Sequence, residues 1–260
     1  LIATILILTG CSNPLQESGP VGGNPQKSAA ARGKEIVAEY LKRDSSPYRK
    51  TRVRLTVEGA EGKKKVYVIK KQRKQSGDET LSITKIVEPI EDSDLATLTI
   101  QKKGEPSVNV TWVASQNRFR EAGTNKMFFG GITSQELLGE WDKYEPKFLA
   151  EKQLNGVKVF EIEATLKSRR SSVIARTVTM FGAEDYLPRE VHLFNSDEKE
   201  IRTFFVEEIR EFSGKKVISK TRIKNHIYNS TVFIEVLNMS FPEEIPDSEF
   251  TREYLKKISR

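Results

Sequence analysis

Few side chains in this 260-residue chain have the type and spacing of reacting groups. Cysteine occurs once, at Cys11. A lone thiol closes no internal disulfide and leaves no thiolate metal site or cysteine-based dyad in the rest of the chain. The two histidines, His192 and His226, fall in strand-like stretches far apart in sequence and lack the spacing of a His-Glu-x-x-His zinc site. No Gly-x-Ser-x-Gly elbow, phosphate-binding loop or Gly-x-Gly-x-x-Gly turn occurs. The paired acids Glu207-Glu208 and Glu243-Glu244 read as solvated edges rather than as a glycosidase pair. Asn109-Val110-Thr111 and Asn229-Ser230-Thr231 match the glycosylation triplet and read as chance matches. The expectation is a protein with no catalytic site, no metal site and no cofactor.

Cys11 is the exception, because of what precedes it. Leu1 to Leu8 run Leu-Ile-Ala-Thr-Ile-Leu-Ile-Leu without a charge, and Thr9, Gly10 and Cys11 follow at once. A short apolar run ending in small residues is the core and cleavage site of a secretory signal. It is far too short to span a bilayer, which takes about 20 apolar residues. The chain begins at Leu1 rather than Met, so the basic start of such a signal is expected to be missing. Leu8-Thr9-Gly10-Cys11 resembles the bacterial lipobox. That resemblance implies a diacylglycerol on the Cys11 thiol, a cut before it, and a mature protein that starts at Cys11. Each buried methylene adds about 0.8 kcal/mol of membrane affinity, and stable anchoring needs two chains. The alternative is an ordinary signal with a chance cysteine, which would leave a loose reactive thiol.

Residues 12–27 are rich in glycine, proline and small polar residues, the composition of a flexible tether. Ser12 rather than aspartate follows the cysteine, which by enterobacterial sorting rules points to the outer membrane, facing the periplasm. The expected organisation is therefore 1–10 signal peptide, 11–27 lipidated tether and 28–260 a single domain. The formal net charge of +7 favours anionic surfaces such as lipid headgroups. No long basic run stands out, and nucleic acid is not an expected partner.

From 28 to 43 the apolar residues Ile36, Val37, Tyr40 and Leu41 share one face of a helix, which Asp44-Ser45-Ser46-Pro47 ends. The pattern then changes to a period of two. Val53, Leu55 and Val57 alternate with charged and polar residues, as do Ala96, Leu98 and Ile100, then Val108, Val110 and Trp112. Further strands are predicted at 65–72, 79–87, 146–154, 157–167, 172–181, 189–195, 201–212, 215–228 and 231–239. Turns such as Asn155-Gly156 and Ser213-Gly214 join neighbours directly. Thr133-Ser134-Gln135-Glu136 matches a capping box and predicts a short helix to about Asp142, with Leu137, Leu138 and Trp141 on its apolar face. Asp247 to Lys257 reads as a last helical turn. The whole is an α+β domain of about ten or more antiparallel strands. A sheet of that size curls or splits. The expectation is an unclosed, strongly curved antiparallel barrel with helices plugging or lidding its hollow.

The order of these elements resembles the LolA/LolB-like superfamily, and within it the outer-membrane lipoprotein-sorting branch. Four segments carry the likeness. They are Asn109-Val110-Thr111-Trp112; Phe128-Phe129-Gly130-Gly131 before the helix from Thr133 to Trp141; Asp185-Tyr186-Leu187-Pro188 before the strand from Glu190 to Phe194; and Gly214 through Thr221 to Tyr228, Ser230-Thr231 and the ending Phe250 to Leu255. The resemblance implies a hollow that takes acyl chains of lipoproteins or phospholipids, with a transporter or carrier protein as a further partner. Its lining is expected among Trp112, Phe128, Phe129, Leu137, Trp141, Phe160, Ile162, Phe205, Ile223 and Ile234, each of which could equally be sealed core. Two other readings stand beside it: a carrier of free phospholipid, and a surface lipoprotein that binds a protein. Paired aromatics beside two glycines suit either a gate or, equally, a buried turn at Phe128-Phe129. With a gate, alanine at both positions should alter lipid uptake, measured with a fluorescent fatty acid, without unfolding the domain; unchanged uptake would reject the gate.

Overall fold

The computed structural model describes residues 28–43, 46–105, 107–122, 141–168 and 173–259. The proposed lipid site at Cys11, the tether, Phe128, Phe129, Leu137 and most of the capping-box helix lie outside them. Helix α1 spans Ala29–Arg43. Strands β1 to β5 span Tyr48–Glu58, Lys64–Ser76, Glu79–Glu88, Leu95–Lys102 and Val108–Val113. Next come β6 (Arg118–Ala122), β7 (Tyr144–Leu154), β8 (Val157–Leu166), β9 (Arg176–Gly182) and β10 (Pro188–Phe194). The series closes with β11 (Glu200–Phe212), β12 (Lys215–Asn225), β13 (Ser230–Ser240) and helix α2 (Arg252–Ile258).

All thirteen strands form one antiparallel sheet in the order β6-β5-β4-β3-β2-β1-β13-β12-β11-β10-β9-β8-β7. Strands consecutive in sequence are neighbours in space with one exception, and one pairing joins strands far apart in sequence. β1 pairs with β13, and β6 and β7 lie at opposite edges. The sheet is unclosed and curved, as the alternating pattern and its length predict. β6 was not legible in the sequence. Arg118-Phe119-Arg120-Glu121-Ala122 has one large apolar residue, Phe119, which packs on Trp112 at 4.8 Å between ring centroids. β12 stops at Asn225 rather than running to Tyr228. The Asn225 side-chain carbonyl accepts from the backbone N–H of Ile227 (3.0 Å) and Tyr228 (3.1 Å), which turns the chain.

The two helices cover opposite faces of the sheet. α1 buries Ile36 and Val37 against Ile162 and Phe181, on the inner face of the β7–β9 end. Full burial of such side chains stabilises by about 1.5–3 kcal/mol each. α2 lies at the other end, where Leu255 and the preceding Phe250 and Ile245 pack on Ile83, Ala96, Leu98, Val110 and Trp112. Those strand residues point away from the inner-face positions Thr84, Thr97, Thr99 and Thr111, because side chains alternate along a strand. The apolar stripe therefore changes sides. It faces inward through β1, β2 and β7–β13, and outward through β3–β5. Thr251 caps α2 by accepting from the Tyr254 N–H at 3.1 Å.

The seat of α1 depends on a glycine. A Cβ on Gly33 would stand 2.9 Å from the backbone N, Cα and C of Lys147 in β7. Glycine costs about 1 kcal/mol relative to alanine inside a helix, so its presence here reflects the close approach. Arg32 reinforces the contact by pairing with Glu151 and lying 3.9 Å over the Phe148 ring. We predict that Gly33→Leu lifts α1 from β7 and lowers unfolding stability by about 1–3 kcal/mol, the usual cost of overpacking. An unchanged urea midpoint would reject this seating.

Candidate functional site

Between α1 and the middle of the sheet lies a cavity of about 490 Å³. Sites for small organic molecules run from about 300 to 1,000 Å³. Its walls come from Tyr40 and Arg43 of α1, from β1–β4, from the starts of β12 and the end of β13, and from Leu187. The ladders order these residues along the strands. Leu55 lies opposite Tyr67 on one side and Ile234 on the other. Val53 lies opposite Ile69 and Val236. Thr51 lies opposite Lys71 and Met239, and Lys71 in turn opposite Thr84. Arg49 comes next along β1, level with Arg73 and so with Ser82 and Thr99.

One end of the hollow is thus closed and apolar. Below Leu55 and Ile69, the residues Tyr67, Ile86, Ile223 and Val232 form a buried cluster with Val57, Leu95, Phe204 and Ile234 against it. The other end is polar. Thr80, Ser82, Thr84, Thr99 and Gln101 line it, with the cations Arg43, Arg49, Lys71, Lys215 and Lys216. No acidic residue is among the described residues that line the cavity. Lys215 donates to the Ser46 hydroxyl and lies 4.8 Å over the Phe241 ring, so its stem is held along an apolar wall.

Leu187 reaches this wall from a tight turn after β9. Asp185 is buried; its Oδ1 accepts the Leu187 N–H at 3.1 Å and its Oδ2 accepts from the Arg189 guanidinium at 2.7 Å. Burial alone pushes the Asp185 carboxyl up, but Arg189 and the Leu187 N–H together outweigh it and hold the group below its ordinary value. Gly182 leaves the room for this pair, since a Cβ there would stand 2.5 Å from Asp185 Oδ1 and 2.7 Å from Arg189 Nη2.

The residues singled out in the sequence spread over the molecule. Ile234 lines the cavity, and Ile223 lies in the cluster beneath its floor. Phe160 and Ile162 pack under α1, and Trp141 meets Tyr40 edge-on and Phe181 at a tilt, with ring centroids 6.3 and 5.7 Å away. Trp112 is on the outer face beneath α2, where Lys256 lies 5.2 Å over its ring. Phe205 is also on the outer face: it neighbours Phe204 of the inner cluster and lies 4.1 Å under the Arg222 guanidinium. Val53, Leu55, Ile69, Val236 and the cationic end were not singled out. Their signal was the apolar alternation of β1 read together with its two partners' registers.

The histidines lie on the outer face. His192 Nδ1 is 2.7 Å from Glu200 Oε1 and its Nε2 is 2.7 Å from Glu190 Oε1; His226 Nε2 is 2.8 Å from the Thr203 hydroxyl, which donates to Glu200. Burial raises the Glu200 carboxyl, and Thr203 and His192 bring it below its ordinary value. No group of three or more histidine, cysteine or acidic side chains among the described residues could hold a metal ion. No described helix is long and apolar enough to cross a membrane.

A curved, open antiparallel sheet wrapped beside a helix, with a hollow between, defines the LolA-like fold. Solved structures that share it include the following three. A DUF1329 family protein from Desulfovibrio piger superposes with a TM-score of 0.82 at 14% identity, over 88% of this chain and 100% of that one. A domain assigned to outer membrane lipoprotein sorting from Vibrio parahaemolyticus gives 0.76 at 16% identity, over 87% and 99%. A LolA superfamily protein from Nitrosomonas europaea gives 0.68 at 14% identity, over 85% and 98%. A protein-family model described only as that of an uncharacterized protein matches residues 78–257, and the chain belongs to that family, which has the LolA-like fold. No curated protein matches the sequence.

The Asp185 turn has a pH signature. A carboxylate whose folded value is depressed adds stability above its unfolded value, and that stability is lost as the pH falls through the folded value. Asp185→Asn should cost about 1.5–3 kcal/mol at pH 7, the range for hydrogen bonds to a charged group. The cost should shrink toward zero in acid, below the folded value. A difference between wild type and variant that is the same at pH 7 and in acid would reject the assignment.

Proposed function

We propose that this chain is a membrane-anchored lipoprotein whose hollow binds acyl chains, and that it takes part in sorting lipoproteins to the outer membrane. The observation that carries the binding is the cavity of about 490 Å³ whose closed end is apolar, set in a LolA-like fold. A hydrocarbon tail entering such a space needs no reacting group. Its affinity comes from apolar area leaving water, about 25 cal/mol per Å². Anchoring rests on the lipobox-like Leu8-Thr9-Gly10-Cys11 and on the tether 12–27 that would hold domain 28–260 clear of the bilayer.

The Vibrio parahaemolyticus domain supports the sorting role by its fold and assignment. A second reading, a carrier of phospholipid or another amphiphile serving a membrane transporter, is favoured by the cations at the polar end of the hollow. Both readings make the protein a binder rather than an enzyme, and both place it in the cell envelope.

One mass-spectrometric experiment on protein extracted from membranes reads anchor and cargo together. The anchor should appear as a covalent mass increment on Cys11 that survives denaturation. The cargo should appear as a further, non-covalent lipid adduct seen only under native conditions. Val53→Trp, which fills the hollow, should remove the second signal and keep the first, with a melting temperature within a few degrees of wild type. Wild-type protein with no native adduct would reject acyl-chain binding, and an unmodified Cys11 would reject the anchor.

A further inference from the structure

The hollow is polarised along its length, and that polarity selects a kind of cargo. Moving along β1 from Leu55 to Arg49, the inner-face side chains pass from Leu and Val through Thr to Arg. β2 makes the same passage from Tyr67 and Ile69 to Lys71 and Arg73. β13 brings Ile234, Val236 and Met239 toward Phe241, beside the Lys215 and Lys216 start of β12. β1 and β2 therefore carry one gradient, apolar at one end and cationic at the other, while β13 stays apolar and ends beside the two lysines of β12. The register of the ladders aligns it.

On this ground, and resting on the acyl-chain reading above, we infer that the ligand is an amphiphile with an anionic headgroup. The tail lies over Leu55, Ile69 and Ile234, and a phosphate or carboxylate lies among Arg43, Lys215 and Lys216. The chemistry of the polar end fits such a group. Lysine and arginine donate charge-assisted hydrogen bonds, and the hydroxyls of Thr80 and Thr84 add neutral donors. A carboxylate in the lining would repel the headgroup, and none is present among the described residues there. Asp185 is near enough to attract Lys216 but is itself tied to Arg189 and the Leu187 N–H. The tightly held turn keeps that carboxylate out of the lining while Leu187 enters it. A zwitterionic headgroup would bring an ammonium into the same cationic field and lose most of the gain.

The test uses delipidated protein with a dansyl-labelled fatty acid in the hollow. The dansyl probe is displaced by short-chain phosphatidylglycerol or by phosphatidylcholine with identical tails. The anionic lipid should displace it at about tenfold lower concentration, the equivalent of one or two charge-assisted contacts in a partly dry site. The double variant Lys215→Gln/Lys216→Gln should cut that ratio to below about threefold while phosphatidylcholine displaces as before. Lys63→Gln/Lys64→Gln alters net charge equally at the β1–β2 turn, the opposite end of those strands, and should leave the ratio intact. Equal displacement by both lipids in wild type overturns the inference while leaving acyl-chain binding standing. So does an equal fall of the ratio in both double variants, which would make the preference a matter of net charge. Failure of the probe to bind at all overturns the acyl-chain reading itself. Displacement by inorganic phosphate at the lipid's concentration would show that the cations take the anion without a tail, and would also overturn the inference.

Discussion

Leu55 stands between Tyr67 and Ile234, and the register of those two ladders decides which side of the sheet is oily. Side chains on a strand alternate strictly, so a slip of one residue would turn the whole inner face outward. In place of Leu55, Val53 and Ile69 the hollow would then present Arg54, Arg52 and Lys70. The outer face shows how firmly the present register is held. Arg54 pairs there with Glu235 at 2.7 Å, and Arg222 with Glu207 at 2.8 Å. Exposed pairs of this kind contribute little to stability singly, about 0–1 kcal/mol each. Their weight is in register, because each is satisfied only when the apolar residues between them face inward.

The period of most strands and their direct turns were legible in the sequence, because each depends on near neighbours in the chain. Val53, Leu55 and Val57 announce a strand without help from any partner. The side on which that strand's apolar face would lie was not legible. Ala96, Leu98 and Ile100 alternate as cleanly as the residues of β1, yet they face outward under α2. Alternation states that one face is buried, not by what. For the same reason Trp112 and Ile234, equal candidates by residue type, end on opposite faces of the sheet. Which helix covers which stretch depends on contacts such as Gly33 on Lys147, more than a hundred residues apart, and on Leu255 against β4 and β5.

The candidate site was less legible than the fold. Its cations lie on four elements, and no segment holds more than the two neighbours Lys215 and Lys216. A net charge of +7 says that cations are in excess and nothing about where they gather. The sheet gathers them by bringing the start of β1, the end of β2 and the start of β12 to one end. An antiparallel meander does this without any motif, since alternate strand ends meet at the same rim.

The edges of the sheet carry a mechanical consequence. A closed barrel has a girth set by its strand number and stagger. Here β6 and β7 do not pair, so no ring of hydrogen bonds fixes the circumference. A small change of twist at each of twelve ladders adds up across the sheet, and none has to break. The gap between the edges can widen or narrow as an elastic seam does. One interior can therefore fit itself to guests of differing bulk, with the helix at β7 riding on the moving edge.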